Sequence, residues 1–317
     1  YVAGEMRTRL EFPARSPFFI EPSVVLNRWD HFRSFASFFD EVRPSYVVIR
    51  EIWGGSNVGM ALGNKGLLRL DLKYAQIKDD YYQSQSFTAL DTADVTEFFH
   101  FNGGLRLERN SLNRKQHPNA GELLRVELRA ISGEERTTPG STQAAGSTVH
   151  AEHHDWVRAK VTLDKYFLPR GIFRFGLMAE GVYSTQPFFQ NYTASVINSP
   201  VFHPTPESRT YFIEQFRAPQ YAAGGIRTIF ALARRKIDLR LEGYLFQPYK
   251  AILRTEEGLP EEGKELSDRS YLASGSLIYQ SPLGPVWFNT SYIDGLPEPW
   301  VWSLNFGYVI FAQGVND

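Results

Sequence analysis

Residues 67–75 read "LLRLDLKYA". Leu68, Leu70, Leu72 and Tyr74 fall on one parity, and Arg69, Asp71 and Lys73 on the other. Side chains of an extended chain point alternately to opposite faces. A period of two therefore predicts a strand with one apolar and one charged face. The pattern recurs. "GLRLERN" (104–110) sets Leu105 and Leu107 against Arg106 and Glu108. "ELLRVELRA" (122–130) sets Leu124, Val126 and Leu128 against Arg125, Glu127 and Arg129. "KIDLRLEGYLF" (236–246) sets Ile237, Leu239, Leu241 and Leu245 against Lys236, Asp238, Arg240 and Glu242. Near the end, "WVWSLNFGYVIF" (300–311) puts Trp302, Leu304, Phe306, Tyr308 and Ile310 on one face. Ser303, Asn305, Gly307, Val309 and Phe311 take the other.

A soluble sandwich also alternates, with its polar face in water. Two features favour a membrane. The strands run to about ten residues, the length a tilted strand needs to cross a bilayer. The connections also alternate in length. "GNKG" (63–66), "LPRG" (168–171), "ARRK" (233–236) and "SPLGP" (281–285) are short. Residues 79–97, 133–155, 186–219 and 250–269 read as long loops. Short turns at one end and long loops at the other describe a transmembrane antiparallel β-barrel, with the short turns periplasmic and the long loops extracellular. Alternation alone gives about 13 strands, or about 15 if 31–62 holds an extra hairpin. The stretch 300–311 is then the strand that closes the barrel.

Composition supports this. Net charge is −1, so no basic field exists to attract nucleic acid. Aromatics make up 15% of the 317 residues, enough for interfacial girdles. There is no cysteine, which excludes disulfides, thiolate metal sites and a cysteine nucleophile. No stretch approaches the roughly 20 apolar residues of a membrane helix. The opening "YVAGEMRTRL" has no initiator Met and no signal peptide, and is expected to be a processed or truncated start.

Several segments resemble known barrels. "SPLGPVWFNTSY" (281–292), followed by a strand ending "FGYVIF" (306–311), resembles the C-terminal end of the BamA/TamA surface-antigen superfamily. More specifically, residues 107–128, 188–225 and 239–250 resemble the barrel region of patatin-like phospholipases of Bacteroidetes. That resemblance implies an outer-membrane barrel of about 16 strands spanning residues 1–317, with a patatin domain and a small periplasmic domain upstream. The superfamily carries an Arg-Gly-aromatic motif on a long loop folded into the lumen, its Arg paired with a lumen-facing acid. The matching position is Phe216-Arg217-Ala218, where Ala218 replaces the Gly and Pro219 follows. Arg217 is therefore expected to pair with Glu242, whose parity faces the lumen, or with Asp238.

Catalytic motifs are weak. A patatin Ser sits in a G-x-S-x-G elbow, and "GGSNVG" (54–59) has the wrong spacing. Asp294-Gly295 reads as a hairpin turn. "HAEHHD" (150–155) offers His150, His153, His154 and Asp155, but matches no zinc spacing and reads as the end of a loop. No catalytic residue, metal or cofactor is therefore expected in this chain. The expected function is the translocator or anchor domain of a patatin-like protein, integral to the bacterial outer membrane. Its expected partners are outer-membrane lipids and lipopolysaccharide, its own upstream patatin domain, and other envelope proteins. The competing readings are a structural or partner-binding subunit of a larger outer-membrane complex, a small-solute channel, and an enzyme with a Ser-His pair on the outer face.

Overall fold

The computed structural model describes residues 1–12, 16–31, 45–84, 87–143, 148–168, 171–232, 236–308 and 310–316. They form one large antiparallel sheet that curls into a barrel. Its strands, in chain order, begin with β1 (Val2–Arg7), β2 (Leu10–Glu11) and β3 (Phe18–His31). Long staves follow as β4 (Val47–Leu62), β5 (Gly66–Tyr81), β6 (Asp94–Asn110), β7 (Glu122–Thr138) and β8 (His150–Phe167). Then come β9 (Phe173–Ser184), β10 (Tyr221–Leu232), β11 (Ile237–Pro248), β14 (Ser270–Ser281), β15 (Gly284–Ile293) and β16 (Trp300–Phe306). Between β11 and β14, β12 (Lys250–Arg254) and β13 (Pro260–Glu265) form a separate hairpin. The large sheet thus holds 14 strands among the described residues, with β1 and β2 both on β3. Region 45–62 yields one strand, β4; residues 32–44 lie outside the described residues.

Every pairing between successive strands of the sheet is antiparallel, so each alternating sequence keeps its two faces around the whole wall. Leu70, Leu105 and Leu128 are about half exposed on the outer face. Asp71, Glu127 and Arg129 are buried inside. A bare charge inside would be costly, and the lumen supplies partners. Arg129 Nη1 donates to Asp71 Oδ2 at 2.9 Å and to Asn102 Oδ1 at 2.9 Å.

The expected loops are partly strand. Residues 133–138 extend β7, and "HAEHHD" opens β8 rather than ending a loop. Residues 250–269 hold the β12–β13 hairpin, where Lys250 pairs with Glu262 at 2.5 Å. Asp294-Gly295 is a turn as expected, with Gly295 at φ +88.

The apolar core lies inside the barrel. One cluster joins Val25, Trp53, Tyr81, Phe98 and Trp156 of the wall to Phe189, Ala194, Ile197 and Val315 of segments that enter the lumen. A second joins Met178, Tyr244, Phe246 and Leu272 of the wall to Phe202, Ile213, Phe216 and Ala218.

Candidate functional site

Three segments converge in the lumen. The first is the connection 185–220 between β9 and β10. It enters the barrel and forms a short helix, α1 (Tyr192–Asn198). Asn191 caps it, its side chain accepting from Ala194 N at 2.9 Å. The same Asn191 donates from Nδ2 to Tyr81 Oη at 2.6 Å, and Asn198 Nδ2 donates to Asp79 Oδ2 at 2.9 Å, tying the helix to β5.

Arg217 closes the other end of α1. Its Nη1 donates to Ile197 O at 2.7 Å and reaches Val196 O at 3.5 Å, and its guanidinium lies 4.8 Å from the Phe212 ring centroid. Carbonyls at a helix C-terminus have no partner within the helix and carry partial negative charge, so a cation satisfies them. Burial pushes Arg217 down to about 10, against the opposing pull of Asp79 and Glu214. The expected Arg217–Glu242 pair is therefore corrected: this loop forms a helix whose end takes the guanidinium. Ala218 is fully buried and its N–H donates to Pro200 O at 3.1 Å. Phe216 is 1% exposed and packs edge-on against Phe246, with ring centroids 5.7 Å apart.

Glu242 and Asp238 do face the lumen, as their parity requires, but with other cations. Glu242 Oε1 accepts from Arg240 Nη2 at 2.5 Å and stands 3.5 Å from Arg227 Nε. Arg227 is the hub. Its Nη1 donates to Asp164 Oδ2 at 2.6 Å and Tyr166 Oη at 2.7 Å, and its Nε donates to Tyr244 Oη at 2.7 Å. Gly176 makes room for the Tyr166 ring: a Cβ there would lie 2.8 Å from Tyr166 Cε1.

The second segment, residues 111–121, joins β6 to β7 at the short-turn end and folds inward. Arg114 Nη1 donates to Asp238 Oδ2 at 2.8 Å, and Asn119 Nδ2 donates to the same oxygen at 3.0 Å. Arg240 Nη1 donates to Pro118 O at 2.8 Å. The His117 ring meets Trp287 edge-on, with centroids 4.9 Å apart. Trp287 Nε1 in turn donates to Glu207 Oε1 of the first segment at 2.5 Å. The two inserted segments thus meet on one tryptophan.

Burial, with Arg240 nearby, pushes His117 down to about 3. In water it would titrate near 6.5. Between these values the undocked segment binds a proton that the docked one refuses. Docking is therefore complete above about pH 6.5 and weakens as pH falls toward 3. The loss is about 1.4 kcal/mol per unit, or about 2 kcal/mol at pH 5. Burial raises Glu207, which favours the first segment at low pH and opposes the trend there. Hydrogen exchange of residues 112–120, corrected for intrinsic rates, is expected to rise at pH 5 relative to pH 7 in the wild type. In His117→Gln that rise disappears.

The third segment follows β16. The expected closing strand 300–311 stops at Phe306, because Gly307 takes φ +86 and breaks the alternation. Trp302, Leu304 and Phe306 lie in β16. Tyr308 and Ile310 lie beyond it and are exposed; Val309 is outside the described residues. Phe311 turns back onto Trp29 and Tyr1, with ring centroids 5.2 and 5.5 Å away. Gln313 O then accepts from Asn27 Nδ2 and Trp53 Nε1, both at 3.2 Å. Val315 O accepts from Lys73 Nζ at 2.8 Å and Asn102 Nδ2 at 3.1 Å. Two alternate carbonyls of this extended segment are thus held by side chains of β3 to β6.

No ladder joins β1 to β16 among the described residues. The first and last ends meet instead through Tyr1. Its Oη accepts from Ala312 N at 2.8 Å and donates to Asn27 Oδ1 at 3.0 Å.

The candidate metal stretch is divided by strand alternation. His154 points inward to Glu135 at 2.7 Å, while His153 points outward, 3.3 Å from Asp155. His150 pairs with Glu152 at 3.2 Å. Among the described residues no group of three metal-binding side chains converges.

No family model matches the chain, and no curated protein does. Among solved structures, it is similar to BamA from Haemophilus ducreyi lacking POTRA domains 1–3. That match has a TM-score of 0.57 and 13% identity, and covers 95% of this chain and 60% of that one. The ferric-catecholate import receptor Fiu from E. coli K12 in its open form matches at a TM-score of 0.36 and 11% identity, over 93% of this chain and 53% of that one. The chain thus spans less than two thirds of either structure. At this identity the BamA likeness speaks for the fold alone: the fold is a β-barrel of the BamA type.

Proposed function

We propose that this chain is an integral barrel of the bacterial outer membrane and acts as the translocator or anchor of a patatin-like protein. The carrying observation is the seam. β1 and β16 share no ladder among the described residues, and their ends meet through Tyr1, Phe311 and Ala312. An unpaired strand edge can template an added strand, which suits a barrel that passes or places polypeptide. The filled lumen argues against the channel reading, since both core clusters include residues of the inserted segments.

These 317 residues contain no cysteine, so a cysteine pair placed in them, with any cysteine outside them replaced by serine, gives a direct test. Tyr1→Cys and Phe311→Cys, whose rings meet across the seam with centroids 5.5 Å apart, would be joined by a short bis-maleimide in the full-length protein. Translocation predicts that locking the seam abolishes surface exposure of the attached domain and that reduction of a cleavable linker restores it. Unchanged exposure with the seam locked would leave the anchor or structural-subunit reading.

Membrane insertion has its own check. Leu70→Arg places a charge on the outer face and is expected to cost about 2–4 kcal/mol near mid-bilayer. Arg69→Leu changes a lumen-facing residue and is expected to cost under about 1 kcal/mol. Denaturant unfolding from lipid vesicles measures both, and equal costs would refute the assignment of faces.

A further inference from the structure

Residues 312–316 lie in the lumen without joining any strand, and they form no ladder among the described residues. What holds them is a row of side chains from four consecutive staves. Asn27 of β3 and Trp53 of β4 donate to Gln313 O, and Lys73 of β5 and Asn102 of β6 donate to Val315 O. The row runs diagonally across the wall. Trp53 stands opposite Val25, two residues from Asn27, and Lys73 stands opposite Asn102. Lys73 Nζ also lies 4.7 Å from the Trp53 ring centroid, and the face of that ring offsets part of its charge.

The chemistry of the row is one-sided. All four groups donate, and three of them are neutral. Such a set suits the carbonyl oxygens of a peptide backbone, which accept and carry no net charge. Residues two apart in an extended chain point to the same side, and a pair two apart is what this row grips. Every polypeptide has these carbonyls, so the grip itself reads no sequence. Asn102 Nδ2 adds one side-chain contact, to Asn316 Oδ1 at 2.8 Å.

The segment has two faces. Val315 is fully buried, in one cluster with Val25, Trp53 and Ala75, so an aliphatic side chain is wanted there. Gln313 borders a small gap beside Trp53 and Lys73. On the alternate positions, Ala312, Gly314 and Asn316 border a cavity of about 340 Å³. Larger side chains would have room on that face.

We propose that the inner face of β3–β6 is a binding track for an extended polypeptide with an aliphatic residue at the second gripped carbonyl, and that residues 313–316 are its resident occupant. A polypeptide carried by the barrel displaces the resident and takes the same four donors. The track rests on the reading of the barrel as one that passes or places polypeptide. Buried donors left bare would be costly. The resident satisfies them at rest, and an incoming chain replaces each hydrogen bond that it breaks.

The test uses the full-length protein in detergent and a fluorescein-labelled peptide of sequence AQGVND, that of residues 312–317, read by fluorescence anisotropy. The variant lacking residues 313–316 is expected to bind the peptide at least about tenfold tighter than the wild type, whose resident competes at about millimolar effective concentration. Replacing the peptide's alanine and glycine by serine, on the cavity side, is expected to change binding by less than about threefold. Replacing its valine by aspartate weakens binding at least about tenfold, the worth of one buried aliphatic side chain. Lys73→Met in the excised variant also weakens it at least about tenfold, the worth of one charge-assisted hydrogen bond. Equal binding by wild type and excised variant overturns the proposal, as does binding indifferent to Lys73→Met. Loss of binding on the serine exchange would mean a clasp for one sequence, and overturns the track. Heat-modifiable gel mobility, which a folded barrel shows, is read in parallel on every variant. If the excised variant loses it, Val315→Asp in the intact chain takes its place, because it loosens the resident without shortening the chain. That variant is expected to gain peptide binding, and no gain overturns the proposal. Unchanged surface exposure in the seam-locked protein would overturn translocation while peptide binding stands, so the two failures are separate.

Discussion

Replacing Arg227 by leucine is expected to destabilise the barrel by about 3–5 kcal/mol, the usual cost of removing one partner from a buried ionic cluster. Arg227, on β10, is 5% exposed and reaches β8, β9 and β11 and one inserted segment. It donates to Asp164 and Tyr166 of β8 and to Tyr244 of β11, and lies 3.4 Å from Pro204 O in the first segment. Without it, the buried Asp164 loses its ion-pair partner, and the Tyr166 and Tyr244 hydroxyls each lose a donor. Most of the expected loss is the cost of that stranded carboxylate, not the worth of the pair. Asp164→Leu on the same background is therefore expected to recover a large part of it. The double variant should cost clearly less than the sum of the singles, with a coupling of about 1–3 kcal/mol. Denaturant unfolding of the three variants measures the cycle. Strict additivity would show that Arg227 acts through packing alone.

The wall of this barrel is legible in its sequence because alternation is a local property. Leu70 and Arg69 announce their faces from their own neighbours, and the same parity places Glu242 and Asp238 in the lumen correctly. What those acids meet is not local. Asp238 meets Arg114, 124 residues away in sequence, and only closure of the sheet brings the two together. Arg217 misled for a related reason. Its fate depends on α1 forming inside the lumen, and "YTASVIN" carries too few residues to announce a helix by periodicity. Asn191 as a cap was the available signal. Gly307 was a second one: a glycine within an alternating run marks a break. The histidines of 150–155 look clustered in a line of text, and alternation separates His153 from His154 to opposite faces of one strand. The family resemblance pointed toward the barrel, but the ionic partners belong to this chain and had to be read from its geometry.

Excising residues 189–216 together with 313–316 is expected to convert a silent barrel into one that conducts ions steadily in a planar bilayer. The wall does not depend on these residues, since β9 pairs with β10, and β15 with β16, through ladders of their own. The lumen does depend on them. Phe189, Ala194, Ile197 and Val315 fill the space beside β3 to β8, and Phe202, Ile213 and Phe216 fill the space beside β9 to β15. A wall of 13 staves among the described residues, with β2 continuing β1 along the same edge of β3, lies between the barrels of about eight strands that side chains alone can fill and the porins of about 16–18 that hold an aqueous channel. Its inner face carries Asp71, Glu127 and Arg129, which would hydrate once uncovered. Segment 111–121 would remain at the short-turn end, held by Arg114 and Asn119 on Asp238. Adding Asp238→Asn should therefore loosen that second barrier and raise the current further. A double excision that stays silent while keeping its heat-modifiable mobility would mean that 111–121 alone seals the barrel. The lumen would then be closed from the short-turn side rather than by the segments that fill it.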